Sequence, residues 1–224
     1  LPYIYHADEP TNITISQRIF RSGDLNPHFF RYPSLFFYIN ASAHVPYYLI
    51  GKLLGVFQTP QDVPGLVSLA MGITQAPMPG IVLMGRLITV LLGLGSVALI
   101  FWAGMRLSGR AEVGMLAALL LALSPIHVWH NRLVTPDTLV AFCATATLAA
   151  SVLVLDRGTI GGYLLAGACV GLTAASKYNG GIVILLPIFA HFTKQGIQGI
   201  KSYKLYLIFF TALLAFLVTN PFAL

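Results

Sequence analysis

The sequence predicts an all-α protein, a polytopic bundle of transmembrane helices, on three observations. Its 224 residues are 57% hydrophobic and only 9% charged, against about 25% charged residues in a soluble domain, so most of its surface has to face lipid. The apolar residues fall in runs near the ~20 residues that a helix needs to cross the hydrocarbon core. The few cations lie between those runs and cluster in alternate loops, as topology signals do. In a soluble protein a net charge of +6 and a pI near 9.5 would point to nucleic acid. With a mean hydropathy of +0.80 and cations this sparse, membrane lipids are the expected partner and nucleic acid is not.

Six stretches have the apolarity of spans: 81–105, 113–131, 138–155, 160–176, 180–193 and 205–220. Short connections separate them at 108–112, 135–136, 156–158, 177–180 and 194–204. Arg106 and Arg110, then Arg157, then Lys194, Lys201 and Lys204 occupy alternate loops, which the positive-inside rule assigns to the cytoplasm. Residues 1–80, 132–137, 177–180 and Asn220-Pro221 then lie outside, and they carry Asp8, Glu9, Asp24, Asp62 and Asp137. The expected localisation is a multi-pass integral membrane protein, in the plasma membrane if the source is prokaryotic, with any active site on the outer face.

Residues 33–56 are apolar enough to span, and a crossing there would invert every later loop unless 57–80 hides another. Pro46, the polar residues Asn40, Ser42 and His44, and the aromatics between 36 and 48 favour a helix lying at the membrane surface or re-entering it, which also keeps the cation pattern consistent. The expected organisation is a single domain, with residues 1–80 a long outer loop bearing membrane-surface helices and 81–224 about six transmembrane helices. The chain starts at Leu1 within a polar loop and ends without a polar tail, so it is expected to be the N-terminal part of such a domain in a longer chain. Cys143 and Cys169 sit inside apolar runs, as small buried residues rather than a disulfide or metal pair. Asn12-Ile13-Thr14 and Asn40-Ala41-Ser42 match glycosylation sequons.

Ionisable groups at the ends of membrane helices are costly facing lipid, so they face a cavity or a partner. On the outer side these are Asp8 and Glu9, then His127, His130, Arg132 and Asp137 in the turn His127-Val128-Trp129-His130-Asn131-Arg132-Leu133-Val134-Thr135-Pro136-Asp137, and Lys177 beside Tyr178. Each has a plainer alternative. Asp8 suits a helix N-cap before the helical pattern Ile13, Gln17, Phe20, and Asp137 suits one before 138. Arg132 and Lys177 suit snorkelling to lipid phosphates. Histidines near helix ends are often hydrogen-bonded structural residues. The spacing of Asp137, His127 and His130 permits a divalent metal, but no compact ligand motif demands one, and the sequence identifies no cofactor with certainty.

Three segments in order carry a family resemblance. The first runs from Asp8-Glu9-Pro10 through Arg18 and Ser22-Gly23-Asp24 to Arg31-Tyr32-Pro33-Ser34-Leu35-Phe36-Phe37-Tyr38. The second is Ser124-Pro125 to Arg132 with Pro136-Asp137-Thr138-Leu139. The third is Gly171-Leu172-Thr173-Ala174-Ala175-Ser176-Lys177-Tyr178-Asn179-Gly180. Together they resemble the family 39 membrane glycosyltransferases of the GT-C fold, which include protein O-mannosyltransferases and the aminoarabinose transferases of lipid A. The resemblance implies a polyprenyl-phosphate-linked sugar donor and a lipid, glycan or protein acceptor. It implies Asp8 as general base with Glu9 in support, Lys177 and Arg132 on the phosphate side, and Asp137 and Tyr178 at the substrate. Some relatives carry a lysine before the proline of the first loop where this chain has Tyr32, so Arg31 is the substitute phosphate contact. The stretch 57–80 matches nothing in that pattern.

Two other classes compete. A transporter or lipid flippase would place acids or a basic cluster in mid-membrane, often with broken helices, whereas the spans hold almost none beyond Arg86 near a helix end. A structural membrane subunit would leave the three outer segments unexplained.

Overall fold

The computed structural model describes residues 3–4, 6–68, 74–76 and 79–222, and they are overwhelmingly helical. Helices α1 (Glu9–Ser22) and α2 (Leu35–Leu53) precede the bundle, which is built from α3 (Gly80–Ser108), α4 (Ala111–Ala122), α5 (Pro125–Asn131), α6 (Pro136–Arg157), α7 (Ile160–Ser176), α8 (Leu185–Gln195) and α9 (Tyr203–Thr219). A small antiparallel sheet, not expected from the sequence, joins strands β1 (Tyr3–Ile4), β2 (Val67–Ser68) and β3 (Thr74–Gln75) in the order β1-β3-β2. The helix boundaries follow the apolar runs closely, with two differences.

The expected span 113–131 is bent by 63° between α4 and α5. Pro125 opens α5, and the residue before a proline is driven out of the helical region; Ser124 is accordingly extended, at φ −63°, ψ 119°. The expected span 180–193 begins as a 3-10 turn at Tyr178–Ile184 and becomes α-helical only at Leu185.

Among the described residues α3 and α6 are each long and apolar enough to cross a membrane, and the bent α4–α5 pair makes a third such unit. α7 and α9 are apolar but have 17 residues each, at the short limit of roughly 17–25 for a span. The distribution of side chains is that of a protein in lipid. Leu91 and Leu94 on α3, Leu116 and Leu120 on α4, and Phe210 and Leu213 on α9 are exposed, while Thr89, Ser96, Thr147 and Thr173 are buried. Ser96, Thr147 and Thr173 each donate their hydroxyl to the carbonyl four residues back, so the buried polar atoms are satisfied within their own helix.

Without a hydrophobic drive between helices in lipid, close backbone approach does the packing. Gly167 and Gly171 show it, where α7 crosses α9. A Cβ on Gly167 would lie 1.9 Å from Thr211 Oγ1 and 2.5 Å from the Ile208 carbonyl oxygen, and one on Gly171 would lie 2.2 Å from the Ala212 carbonyl oxygen.

The bundle has two unlike ends. At one, Arg106 pairs with Asp156, Lys194 donates to the carbonyls of Leu155 and Asp156, and Lys204 donates to that of Gly158. At the other lie α1, α2 and their loops, held to the helix ends by Asn12, which donates to the Val134 carbonyl, by Tyr178, which donates to the Phe30 carbonyl, and by the Ser34 N–H, which donates to Asn220 Oδ1. Both sequon asparagines are buried, Asn12 at 0% and Asn40 at 2% exposure. The folded chain therefore presents neither for glycosylation.

Candidate active site

The acidic pair is split by its surroundings. Asp8 takes the N-cap position of α1, with Pro10 in the first turn, yet its side chain makes no capping bond. Its backbone N–H donates to His6 Nδ1 at 3.2 Å, and its partly buried carboxylate makes no hydrogen bond or ion pair among the described residues. Glu9 is fully buried. Its Oε1 accepts from Arg86 Nε at 3.1 Å and from the Val134 N–H at 2.9 Å, and its Oε2 accepts from Arg86 Nη2 at 3.0 Å. A planar guanidinium meeting a carboxylate through two parallel bonds fixes both position and orientation. With Asn12 on the Val134 carbonyl one turn further along, α1 is docked onto α3 and onto the strand-like turn before α6.

Lys177 ends α7 with an extended backbone, φ −156°. Its Nζ donates to Asp137 Oδ1 at 2.9 Å, both side chains about one-third exposed. That bond holds the Lys177 pKa above its ordinary value against partial desolvation, and the charges of Asp137, Tyr32 and Asp8 push the same way. Asp8 is thus within electrostatic reach of the ammonium group. Asp137 is not the N-cap of α6, a position held by Thr135. It lies in the first turn and bridges to the next helix.

Arg132 lies just beyond α5, with its guanidinium 4.0 Å above the Trp129 ring, a geometry that holds the cation in place. It lines a cleft of about 620 Å³ together with His6, Glu9 and Arg86. Leu83, Leu87 and Val90, on the same face of α3 as Arg86, add an apolar lining. A second hollow of about 340 Å³ shares Val90 and Arg132 and continues past Leu94 and Val97. These five α3 residues recur at the spacing of one helical face, and from Leu83 to Val97 they run ~21 Å along the axis. The two hollows meet at Val90 and Arg132, so the apolar groove carries a cation partway along it.

The other sequence candidates are placed less centrally. Arg31 is exposed in the loop between α1 and α2, with no hydrogen bond or ion pair to the site. Tyr178 uses its hydroxyl, at 3.3 Å, to hold the Phe30 carbonyl, which anchors that loop. His127, His130 and Asp137 line one cleft. Among the described residues no three His, Cys, Asp or Glu side chains stand close enough together to hold a metal ion. Reading the sequence passed over Arg86 as a site residue. The signal was available: an arginine inside an apolar run needs a buried partner, and Glu9 is an acid near that end of the bundle.

The fold and this end of the bundle define a helical integral membrane protein with acid and cation side chains along an apolar groove. A family model described as dolichyl-phosphate-mannose-protein mannosyltransferase matches residues 65–221, and the chain belongs to that family, as a membrane glycosyltransferase of the GT-C type. No curated protein and no solved structure matches the chain. The matched stretch includes Arg86, Arg132, Asp137 and Lys177 but not Asp8 or Glu9. The Glu9–Arg86 pair is what ties the unmatched acidic segment to the matched bundle.

Proposed function

We propose that the chain forms the donor side of a family 39 glycosyltransferase, which moves a sugar from a polyprenyl phosphate to an acceptor hydroxyl at the outer face of a multi-pass bundle. The observation that supports this most is the apolar groove on α3, whose two hollows meet at Val90 and Arg132, the first of them lined also by His6, Glu9 and Arg86. The prenyl chain lies along Val90, Leu94 and Val97, and the phosphate sits at Arg132. In the reaction the acceptor hydroxyl gives its proton to Asp8 as its oxygen attacks the anomeric carbon. The bond from that carbon to the phosphate oxygen breaks, and the phosphate leaves with the electron pair. Cations fixed where that charge develops lower the barrier. Arg132 is the first of these and Lys177 the second, with Asp137 holding Lys177 in place and Arg31 entering from the loop above. Glu9 acts through Arg86 and the backbone as a positioning residue. The acceptor is a lipid, glycan or protein.

Lys177→Met tests the second cation. An ion pair this exposed contributes about 0–1 kcal/mol to stability, so expression and melting should stay near wild type while transfer falls at least tenfold. Unchanged transfer in the well-folded variant would make Lys177 a surface residue alone. Sidedness is tested with single cysteines on exposed positions, since Cys143 and Cys169 are buried. An impermeant thiol reagent added outside intact cells should label Asp24→Cys and Asn179→Cys but not Ser108→Cys or Gln198→Cys. Labelling of the second pair from outside would invert the map.

A further inference from the structure

At the end of the bundle that carries Arg106, Lys194 and Lys204, α8 and α9 are joined by the 3-10 helix Ile197–Lys201. Side chains three apart on a 3-10 helix stand on one side of it. Here they are Ile197, 88% exposed, and Ile200, more than half exposed. Tyr203 and Tyr206, three apart on α9, are exposed as well, and the Tyr206 hydroxyl donates to the Ile200 carbonyl at 3.3 Å, which brings the two pairs together. Lys201 is exposed and makes no hydrogen bond or ion pair among the described residues.

The connection is held firmly. The N–H groups of Gly196, Gly199 and Ser202 donate to the carbonyls of Phe192, Gly196 and Gly199. Fully buried His191 reaches the Gly199 carbonyl with Nε2 at 2.9 Å. A carbonyl only accepts, so Nε2 carries the proton, and Nδ1 accepts from the Tyr163 hydroxyl at 2.7 Å. Gln195 in turn donates to the Tyr163 oxygen. Backbone groups next to lipid have to be satisfied within the protein, and this segment meets that condition while its isoleucines stay uncovered.

Length decides what covers them. The 17 residues of α9 rise ~25 Å, against ~30 Å of hydrocarbon core. The far end of α9 is covered by protein, since Asn220 is buried and accepts the Ser34 N–H. The shortfall of ~5 Å therefore falls at the Tyr203 end, where a short span draws flanking residues into the bilayer surface. We propose that Ile197–Lys201 with Tyr203 and Tyr206 is an interfacial anchor seated in the leaflet at this end. The isoleucines reach the acyl boundary, the tyrosines sit at the headgroup level where that residue concentrates, and Lys201 meets an anionic phospholipid headgroup.

The test uses the full-length protein in nanodiscs of phosphatidylcholine and phosphatidylglycerol. A nitrobenzoxadiazole fluorophore is attached at Ile197→Cys or, as a reference at the same end, at Ser108→Cys; Cys143 and Cys169 are buried. At Ile197→Cys it should emit as in an apolar medium and be quenched by lipids brominated near the top of the acyl chain, and at Ser108→Cys it should emit as in water. Water-like, unquenched emission at Ile197→Cys, or equal quenching at both sites, overturns the anchor. Apolar emission without quenching shows that protein covers the loop and overturns the lipid assignment. With the bromine on one lipid at a time, quenching at Ile197→Cys should report about fivefold enrichment of phosphatidylglycerol, the worth of one cation near an anionic surface, and Lys201→Gln should abolish it. Enrichment that is absent, or that survives Lys201→Gln, overturns the headgroup contact. All three positions are exposed, so these substitutions leave the fold intact.

Discussion

Asp8→Asn should lower sugar transfer by about 10²–10⁴-fold, the usual contribution of a general base, with expression and donor binding nearly intact. The two acids differ in what they are free to do. Glu9 is committed to three hydrogen bonds in a fully buried position, and a proton delivered to it would disrupt the Arg86 pair. Asp8, partly buried, has no capping bond and no ion pair among the described residues, and its charge acts on Lys177. The asparagine keeps the shape and the hydrogen-bonding reach but cannot take the proton, so the loss should fall on kcat with the donor KM little changed. Turnover is measured in detergent-solubilised full-length protein. Wild-type kcat in Asp8→Asn would remove Asp8 from the reaction and return the role to another group at the groove mouth.

Glu9→Gln should act on folding first. The amide still accepts the Val134 N–H, but the Arg86 guanidinium loses its counter-charge in a site where Glu9 is 0% and Arg86 23% exposed. Breaking a buried pair by removing one partner costs about 3–5 kcal/mol, and the remaining exposure of Arg86 sets the expectation at the lower figure. Replacing both as Glu9→Gln with Arg86→Met removes the stranded charge and should restore part of the loss, a non-additivity that marks a direct contact. Thermal unfolding of the purified single and double variants measures both effects. A Glu9→Gln protein that melts with wild type would mean that the pair does not hold α1 in place.

How much of this was readable from the sequence follows from the range of the interactions. The spans were legible because apolarity is a local property, and α3, α6, α7 and α9 begin and end within a few residues of their apolar runs. The bend at Ser124-Pro125 was not, because a proline at the first position of a new helix looks the same in an apolar run as one inside a continuing helix. Asp137 and Lys177 were each legible as charges at helix ends. Their mutual bond was not, because it depends on how α6 packs against α7. Glu9 and Arg86 lie 77 residues apart. Nothing between them announces the pair, so Glu9 read as a companion of Asp8 in sequence when its partner in space belongs to α3.

The central claim is that this chain belongs to an enzyme that consumes a lipid-phosphate sugar, and it is tested most directly on membranes holding the full-length protein. These are incubated with dolichyl phosphate mannose and other polyprenyl-phosphate sugars, each labelled in the sugar, beside membranes holding the Asp8→Asn variant. The account predicts that label from one of these donors leaves the lipid fraction and appears covalently on an acceptor with wild-type membranes, and does so at least 10²-fold more slowly with the variant. Donors that remain intact with wild-type membranes, or that are consumed equally fast with the variant, would contradict it.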